Sequence, residues 1–382
     1  LTPASLFSEE VTLNIYDALS VRRIINADTT LTRLGGSLMP PPVLAAMKEA
    51  AGSFVDMHEL QQQVGCRLAE LTNNEAAYVC TGAAAGLFLS ALACMVGSDL
   101  PAIARLPNLD NCKNEIIIHC GHRIPYDLAV RQSGAKLVEI GNAIQTHPWE
   151  FEAAITERTA AVLYIAGEHL SHNVLSLPEI IELAHQHNLP VIVDAAAQLP
   201  PPENLWHFTR NLGADLAIFS GGKDLRGPQA SGLIVGRSDL IAACAAHGAP
   251  HQRLGRPMKV GKEEMVGLLA AVEWYLAQDH AAIMANYEAI VQFWVDAFSN
   301  IPGVTARRDF PNEAGRPLPW TLLQVDPTVT GLTAAKIRER LWEGNPRIAV
   351  SPAGHNGIHL SPNTIEPGEA EIVAEQIKQL LP

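Results

Sequence analysis

The chain has 382 residues, with 40 acidic and 27 basic side chains and a formal charge of −13. At about 100–200 residues per domain that length indicates two or three domains, and 48% apolar with 18% charged residues excludes a disordered chain. An acidic balance without a basic run excludes nucleic acid or an anionic membrane surface as the main partner.

Proline punctuation at Met39-Pro40-Pro41-Pro42 precedes a helix beginning at Val43. An Ala- and Leu-rich helix is predicted from about Gly82 to Val96, then an apolar strand over Glu115–His119. A helix around Tyr126–Ser133 and a short strand over Lys136–Ile140 come next. The strand Ala160–Ile165, the helix Leu177–Gln186 and the strand Pro190–Asp194 continue the alternation. Strands Leu216–Phe219 and Gly232–Val235 complete it. Apolar strands separated by helices of this length indicate a mostly parallel sheet covered on both faces. The helix beginning near Met265 (MVGLLAAVEWYLAQ) reads as a long connector. After about Ile301 the pattern becomes that of a compact α+β domain. It runs through strand Thr321–Val325, helix Ala334–Leu341, strands Arg347–Val350 and Gly357–Leu360, and helix Glu369–Leu381. The expected organisation is an N-terminal segment 1–45 packing near the small domain, a large α/β domain 46–285, and a small α+β domain 286–382.

The apolar stretch Ala83–Gly97 is interrupted by Ser90 and is too short to span a bilayer. The opening LTPASLFSEE has no basic start followed by an apolar run, so no signal peptide is read from it. Cysteines at 66, 80, 94, 112, 120 and 244 form no CxxC pair, which points to a reducing, cytoplasmic compartment. HExxH is absent and His185 and His187 lie only two apart on a predicted helix, so no metal site is expected.

Three local features carry chemistry. Val191-Ile192-Val193-Asp194 is an apolar strand ending in a carboxylate, at the sheet edge where open α/β folds bind ligands. Phe219-Ser220-Gly221-Gly222-Lys223 runs from a strand through glycines into a lysine. Thr81-Gly82-Ala83-Ala84-Ala85-Gly86 opens a helix whose amides suit a phosphate. Taken singly, an aspartate at a strand end also serves as a turn residue, and a lone lysine is usually solvated. TGAAAG is neither a dinucleotide fingerprint nor a Walker loop. In this order the three suggest pyridoxal phosphate, with a phosphate cup, an acid for the ring nitrogen and a Schiff-base lysine.

The sequence resembles the fold-type-I pyridoxal-phosphate enzymes, within them the group of D-glucosaminate-6-phosphate ammonia-lyase and selenocysteine synthase (L-seryl-tRNA selenium transferase). The matching stretches are Val21–Gly36 (VRRIINADTTLTRLGG), Phe54–Leu60 (FVDMHEL), Gly121–Asp127 (GHRIPYD), Pro190–Ala196 (PVIVDAA), Ile218–Pro228 (IFSGGKDLRGP) and Gly255–Gly267 (GRPMKVGKEEMVG). The resemblance implies an α/β fold of type I, a large mostly parallel-sheet domain with a small C-terminal α+β domain. It implies that Lys223 forms the Schiff base and acts at Cα, that Asp194 pairs with the ring nitrogen, and that Thr81, Gly82, Ala83 and Ser220 bind the phosphate, with tight helix–sheet packing as the alternative for Gly82 and Ala83. His122 is placed over the cofactor face, where a ring stacks and also moves protons. Arg256 would reach a cofactor phosphate across a dimer interface, beside Lys259 and Lys262 of the same motif. Arg33 and His169 are positions for substrate contact, with an ordinary loop histidine as the alternative for His169. Asp28 stands where the related pattern carries glycine, which points to a different substrate.

The resulting expectation is a lyase that eliminates a β-hydroxyl from a small amino acid, giving a 2-oxo acid and ammonia, in a homo-oligomer with shared sites. β-Replacement, racemisation and retro-aldol cleavage use the same residues, and a non-enzymatic binding protein on this scaffold is the remaining alternative.

Overall fold

The computed structural model describes residues 14–110 and 112–382, which divide into two compact units. Strands are numbered along the chain, and β1 (Ile24–Ala27) belongs to the smaller unit.

The larger unit is Gly35–His280 joined by the excursion Pro311–Pro317. It contains β2 (Ala76–Cys80), β3 (Glu115–His119), β4 (Lys136–Ile140), β5 (Thr159–Ile165), β6 (Val191–Asp194), β7 (Leu216–Ser220) and β8 (Gly232–Gly236). Their order in the sheet is β2-β8-β7-β6-β5-β3-β4. β8 runs antiparallel to both neighbours, and from β7 to β4 every pairing is parallel. Every residue of β3, β5 and β6 is buried, which is why these strands read as continuous apolar runs. Successive side chains serve opposite faces. Ile117, Val162 and Val193 join one core cluster, whereas Ile116, Leu163 and Ile192 join the other.

The helix Ala83–Val96 packs directly on the sheet. A Cβ on Gly86 would stand 2.8 Å from the Ile218 side chain, so a small residue is needed for that approach. The helix is small and apolar around its circumference because it is buried almost along its whole length.

The smaller unit comprises the described residues up to Leu34, Ala281–Phe310 and Leu318–Pro382. Here β9 (Val304–Asp309), β10 (Trp320–Val325), β11 (Arg347–Ala353) and β12 (Gly357–Leu360) join β1 in the order β1-β11-β12-β10-β9. β1 pairs parallel with β11 and the other pairings are antiparallel. Helices Ala334–Glu343 and Glu369–Leu380 share its core with Trp294 and Phe298. The Trp294 indole N–H donates to the Ala370 carbonyl at 3.0 Å. Among the described residues no helix is long and apolar enough to cross a membrane.

Candidate active site

Two neighbouring parallel strands deliver the central pair. β6 ends on Asp194, and β7 ends on Ser220 and turns through two glycines to Lys223. The turn is tight. The Gly221 N–H donates to the Ser231 carbonyl at 2.9 Å, and a Cβ on Gly222 would stand 2.6 Å from the Gln229 backbone. Asp194 is 7% exposed. Its carboxylate accepts the Ala196 N–H at 3.0 Å, its one hydrogen bond among the described residues. Burial raises the Asp194 pKa, opposed by that hydrogen bond and by the charge of Lys223. Burial pushes the Lys223 amine down, and Asp194 partly restores it.

The second component is the start of the helix Ala83–Val96. Gly82 caps it with φ +121°, a conformation glycine adopts without strain, and an added Cβ there would meet nothing within 4 Å. The helix therefore begins beside open space, with its first amides lacking intrahelical acceptors and its dipole positive. Behind it the packing is close: a Cβ on Gly232 would stand 2.5 Å from the Gly82 carbonyl carbon. Gly232 is in register with both Cys80 and Ser220, so β8 sets Thr81 and Ser220 on either side of one row. The Thr81 hydroxyl donates to the Ala230 carbonyl at 3.5 Å.

His122 departs from expectation. It is fully buried. Its Nε2 lies 3.2 Å from the Leu170 carbonyl, and its Nδ1 accepts the Ile165 N–H at 3.3 Å. These contacts assign the proton to Nε2 and occupy both nitrogens. Burial pushes its pKa down to about 4. A neutral ring engaged at both ends has no proton to offer a substrate, so the expected role as acid at Cβ does not agree with this geometry. It makes T-shaped contacts with the rings of Tyr164 and His119, with centroids 4.5 and 5.0 Å away.

His169, exposed in the turn after β5, lies against Gly315. Arg256 is half-buried in a short turn, Lys259 is exposed, and Lys262 is spent on the Ala50 carbonyl and Glu263. Arg33 belongs to the smaller unit and pairs with the buried Asp28 at 2.6 Å. Asp28 also accepts from the Ser351 hydroxyl, so the carboxylate that departs from the related pattern is neutralised locally.

The structure adds residues that the sequence reading missed. Arg316, Glu313 and Ala314 arrive on the excursion Pro311–Pro317, inside a span read as part of the small domain. Arg316, Asp224 and Glu313 act electrostatically on Lys223, and Gln198 donates to the Ala314 carbonyl at 3.1 Å. The turn-rich string PNEAGRP is the one sequence signal for a break there.

The family described as SelA, L-seryl-tRNA selenium transferase, matches residues 32–286. A 5'-C-glycyluridine monooxygenase-decarboxylase from a Streptomyces species is 36% identical, covering 96% of this chain and 92% of that protein. A D-glucosaminate-6-phosphate ammonia lyase from Salmonella typhimurium is 33% identical, covering 97% and 98%. A solved structure of D-glucosaminate-6-phosphate ammonia-lyase superposes with a TM-score of 0.85 at 32% identity, covering 97% of this chain and 98% of that one.

The buried histidines predict an acid-sensitive fold. Burial holds His119 down to about 3 and His122 down to about 4, while the unfolded chain takes up these protons near the ordinary value of about 6.5. Stability is then full above about pH 6.5 and falls as the pH drops toward the folded values. Neither ring nitrogen of His119 has a hydrogen-bond partner among the described residues. His119→Leu should therefore flatten the acid slope without a loss at neutral pH. Urea midpoints measured across this range check it, and an unchanged slope in the variant contradicts it.

Proposed function

This chain belongs to the L-seryl-tRNA selenium transferase family, and we propose that within it the protein is a pyridoxal 5'-phosphate-dependent lyase. It would remove a β-hydroxyl from a small hydroxylated amino acid, giving a 2-oxo acid and ammonia. The observation that carries this reading is the buried Asp194 carboxylate set within electrostatic reach of the half-buried Lys223 amine beyond the ends of adjacent parallel strands.

The residues present fit the cofactor. Asp194 has one hydrogen bond and a charge that burial disfavours, so a protonated ring nitrogen is the partner it lacks. The open space before Gly82 is a cradle that any side chain would fill. The Gly82 and Ala83 amides with the Thr81 and Ser220 hydroxyls would hold the phosphate, and Lys223 would carry the cofactor covalently. When bound, the cofactor supplies an electron sink conjugated with the substrate's Cα.

Lys223 Nζ is the base for the Cα proton, because burial leaves the amine readier to be unprotonated than an exposed lysine. Asp194, itself buried, would hold the ring nitrogen of the bound cofactor in its protonated form. Having taken the Cα proton, Lys223 is also the donor available to the departing hydroxyl, since both nitrogens of His122 are engaged. Water leaves from Cβ and is taken up again when the released enamine tautomerises and hydrolyses. The balance is one 2-oxo acid and one ammonia per hydroxy amino acid.

The 36% identity with the Streptomyces monooxygenase-decarboxylase supports a second reading, attack at the same Cα with dioxygen consumed and carbon dioxide released. All six cysteines are free thiols, which supports a cytoplasmic location. We also propose a homodimer in which Arg256 of one subunit approaches the phosphate cradle of the other, since no acidic partner holds it among the described residues.

D- and L-β-hydroxy amino acids, with D-glucosaminate 6-phosphate among them, should release ammonia and 2-oxo acid one for one in the absence of oxygen and of any keto-acid acceptor. Ammonia formed only with an acceptor, or turnover that consumes oxygen and releases carbon dioxide, would sink the lyase reading. For the shared site, inactive Lys223→Ala and Arg256→Ala subunits should regain activity when mixed, at hybrid sites carrying neither lesion. No recovery despite demonstrated subunit exchange counts against it.

A further inference from the structure

An ionic cluster around the buried Arg316, beside Lys223, has no part in the steps above. The excursion Pro311–Pro317 is a self-bonded turn in which Asn312 Oδ1 accepts the N–H groups of Ala314 at 3.2 Å and Arg316 at 3.1 Å. The Asn312 N–H returns a bond to the Arg316 carbonyl at 3.2 Å. The turn is seated between loops at the end of the sheet. A Cβ on Gly315, at φ +67°, would stand 2.5 Å from the Glu168 nitrogen after β5, and Gln198 after β6 holds the Ala314 carbonyl.

From this turn the Arg316 side chain, 1% exposed, forms an ion pair with Asp224, the residue that follows Lys223. It also pairs with Glu313 at 3.4 Å and donates to the Leu199 carbonyl at 3.5 Å. One guanidinium thus ties the loop after β6 to the turn after β7. A buried cation persists only when paired and hydrogen-bonded, and the planar fork of arginine reaches several acceptors at once.

We propose that Arg316 and Asp224 form a positioning pair for Lys223, anchoring the turn that carries the lysine and fixing the balance of charge around its amine. The pair deepens the role assigned to Lys223 and rests on that reading for its functional meaning. The charged groups acting on the amine are Asp194 from β6, Asp224 from its own turn, and Arg316 and Glu313 from the excursion. Arg316 disfavours the ammonium and Asp224 favours it. The two halves of the pair therefore act on the lysine in opposite senses, which a plain structural brace does not do.

The test uses cofactor-free protein, with reductive methylation of Lys223 by formaldehyde and cyanoborohydride followed by peptide mass spectrometry across pH. Below the amine's midpoint, Arg316→Met should slow labelling and Asp224→Asn should speed it, each about three- to tenfold, a tenfold change being one pKa unit. The double variant should label near the wild-type rate. Its Gly227 amide, which donates to the Gly221 carbonyl across the lysine turn, should exchange with solvent at least about tenfold faster, because the anchor is gone. If a single variant does not fold, the other single variant and the double variant decide. Labelling that moves in one direction in both single variants, or does not move, overturns the charge balance. Unchanged Gly227 exchange in the double variant overturns the anchor. A cofactor attached at another lysine would remove the functional reading while leaving these shifts in place.

Discussion

The site depends on the withdrawal of one amine and one carboxylate from water at the ends of two adjacent strands. Asp194 and Lys223 are each pushed toward neutrality by burial and each held toward its charged form by the other. Such a pair is costly to maintain, and titratable groups perturbed in this way are characteristic of functional sites. The parallel sheet makes the arrangement possible. β6 and β7 are in parallel register, so both chains leave the sheet at the same edge, where loops converge and backbone polar groups reach a ligand.

The surroundings follow from that edge. Glycine at 221 and 222 lets the lysine turn press against Gln229 and Ser231, and glycine at 232, in register with both Cys80 and Ser220, lets β8 lie close against the Gly82 backbone. The helix start beyond Gly82 supplies positive potential to the same edge. His122 buttresses the floor, bridging the Leu170 carbonyl and the Ile165 amide. Arg316 closes the ring of charge from a part of the chain that otherwise builds the second unit.

Much of this was legible in sequence. Strands β3, β4 and β12 and the helix Leu177–Gln186 have the bounds that apolar periodicity and turn residues assign; for β3, buried throughout, the signal is an unbroken apolar run. Asp194 was readable because it closes such a run, and Lys223 because it follows one after two glycines. β2 was missed, since Ala76-Ala77-Tyr78 is weak in strand-favouring residues and pairing with β8 overrides propensity. β9 was missed because it is an edge strand, VTARRD, with its outer face charged and exposed. Helix Met57–Leu71 was missed because its mean pattern is polar and only Val64, Gly65, Leu68 and Ala69 are buried. The engagement of His122 was not legible, for a general reason. Sequence places a histidine in a loop but does not say whether backbone groups 43 and 48 residues away take its nitrogens. The Arg316 contact lies 92 residues from Asp224, and no local pattern encodes it.

The central claim is that Lys223 carries pyridoxal phosphate opposite Asp194. The most direct measurement is borohydride reduction of the yellow holoprotein, followed by proteolysis and mass spectrometry of every lysine peptide. The account predicts a single pyridoxyl phosphate adduct on Lys223, with loss of the visible absorbance in proportion. An unmodified Lys223 peptide, or an adduct on any other lysine, would contradict it.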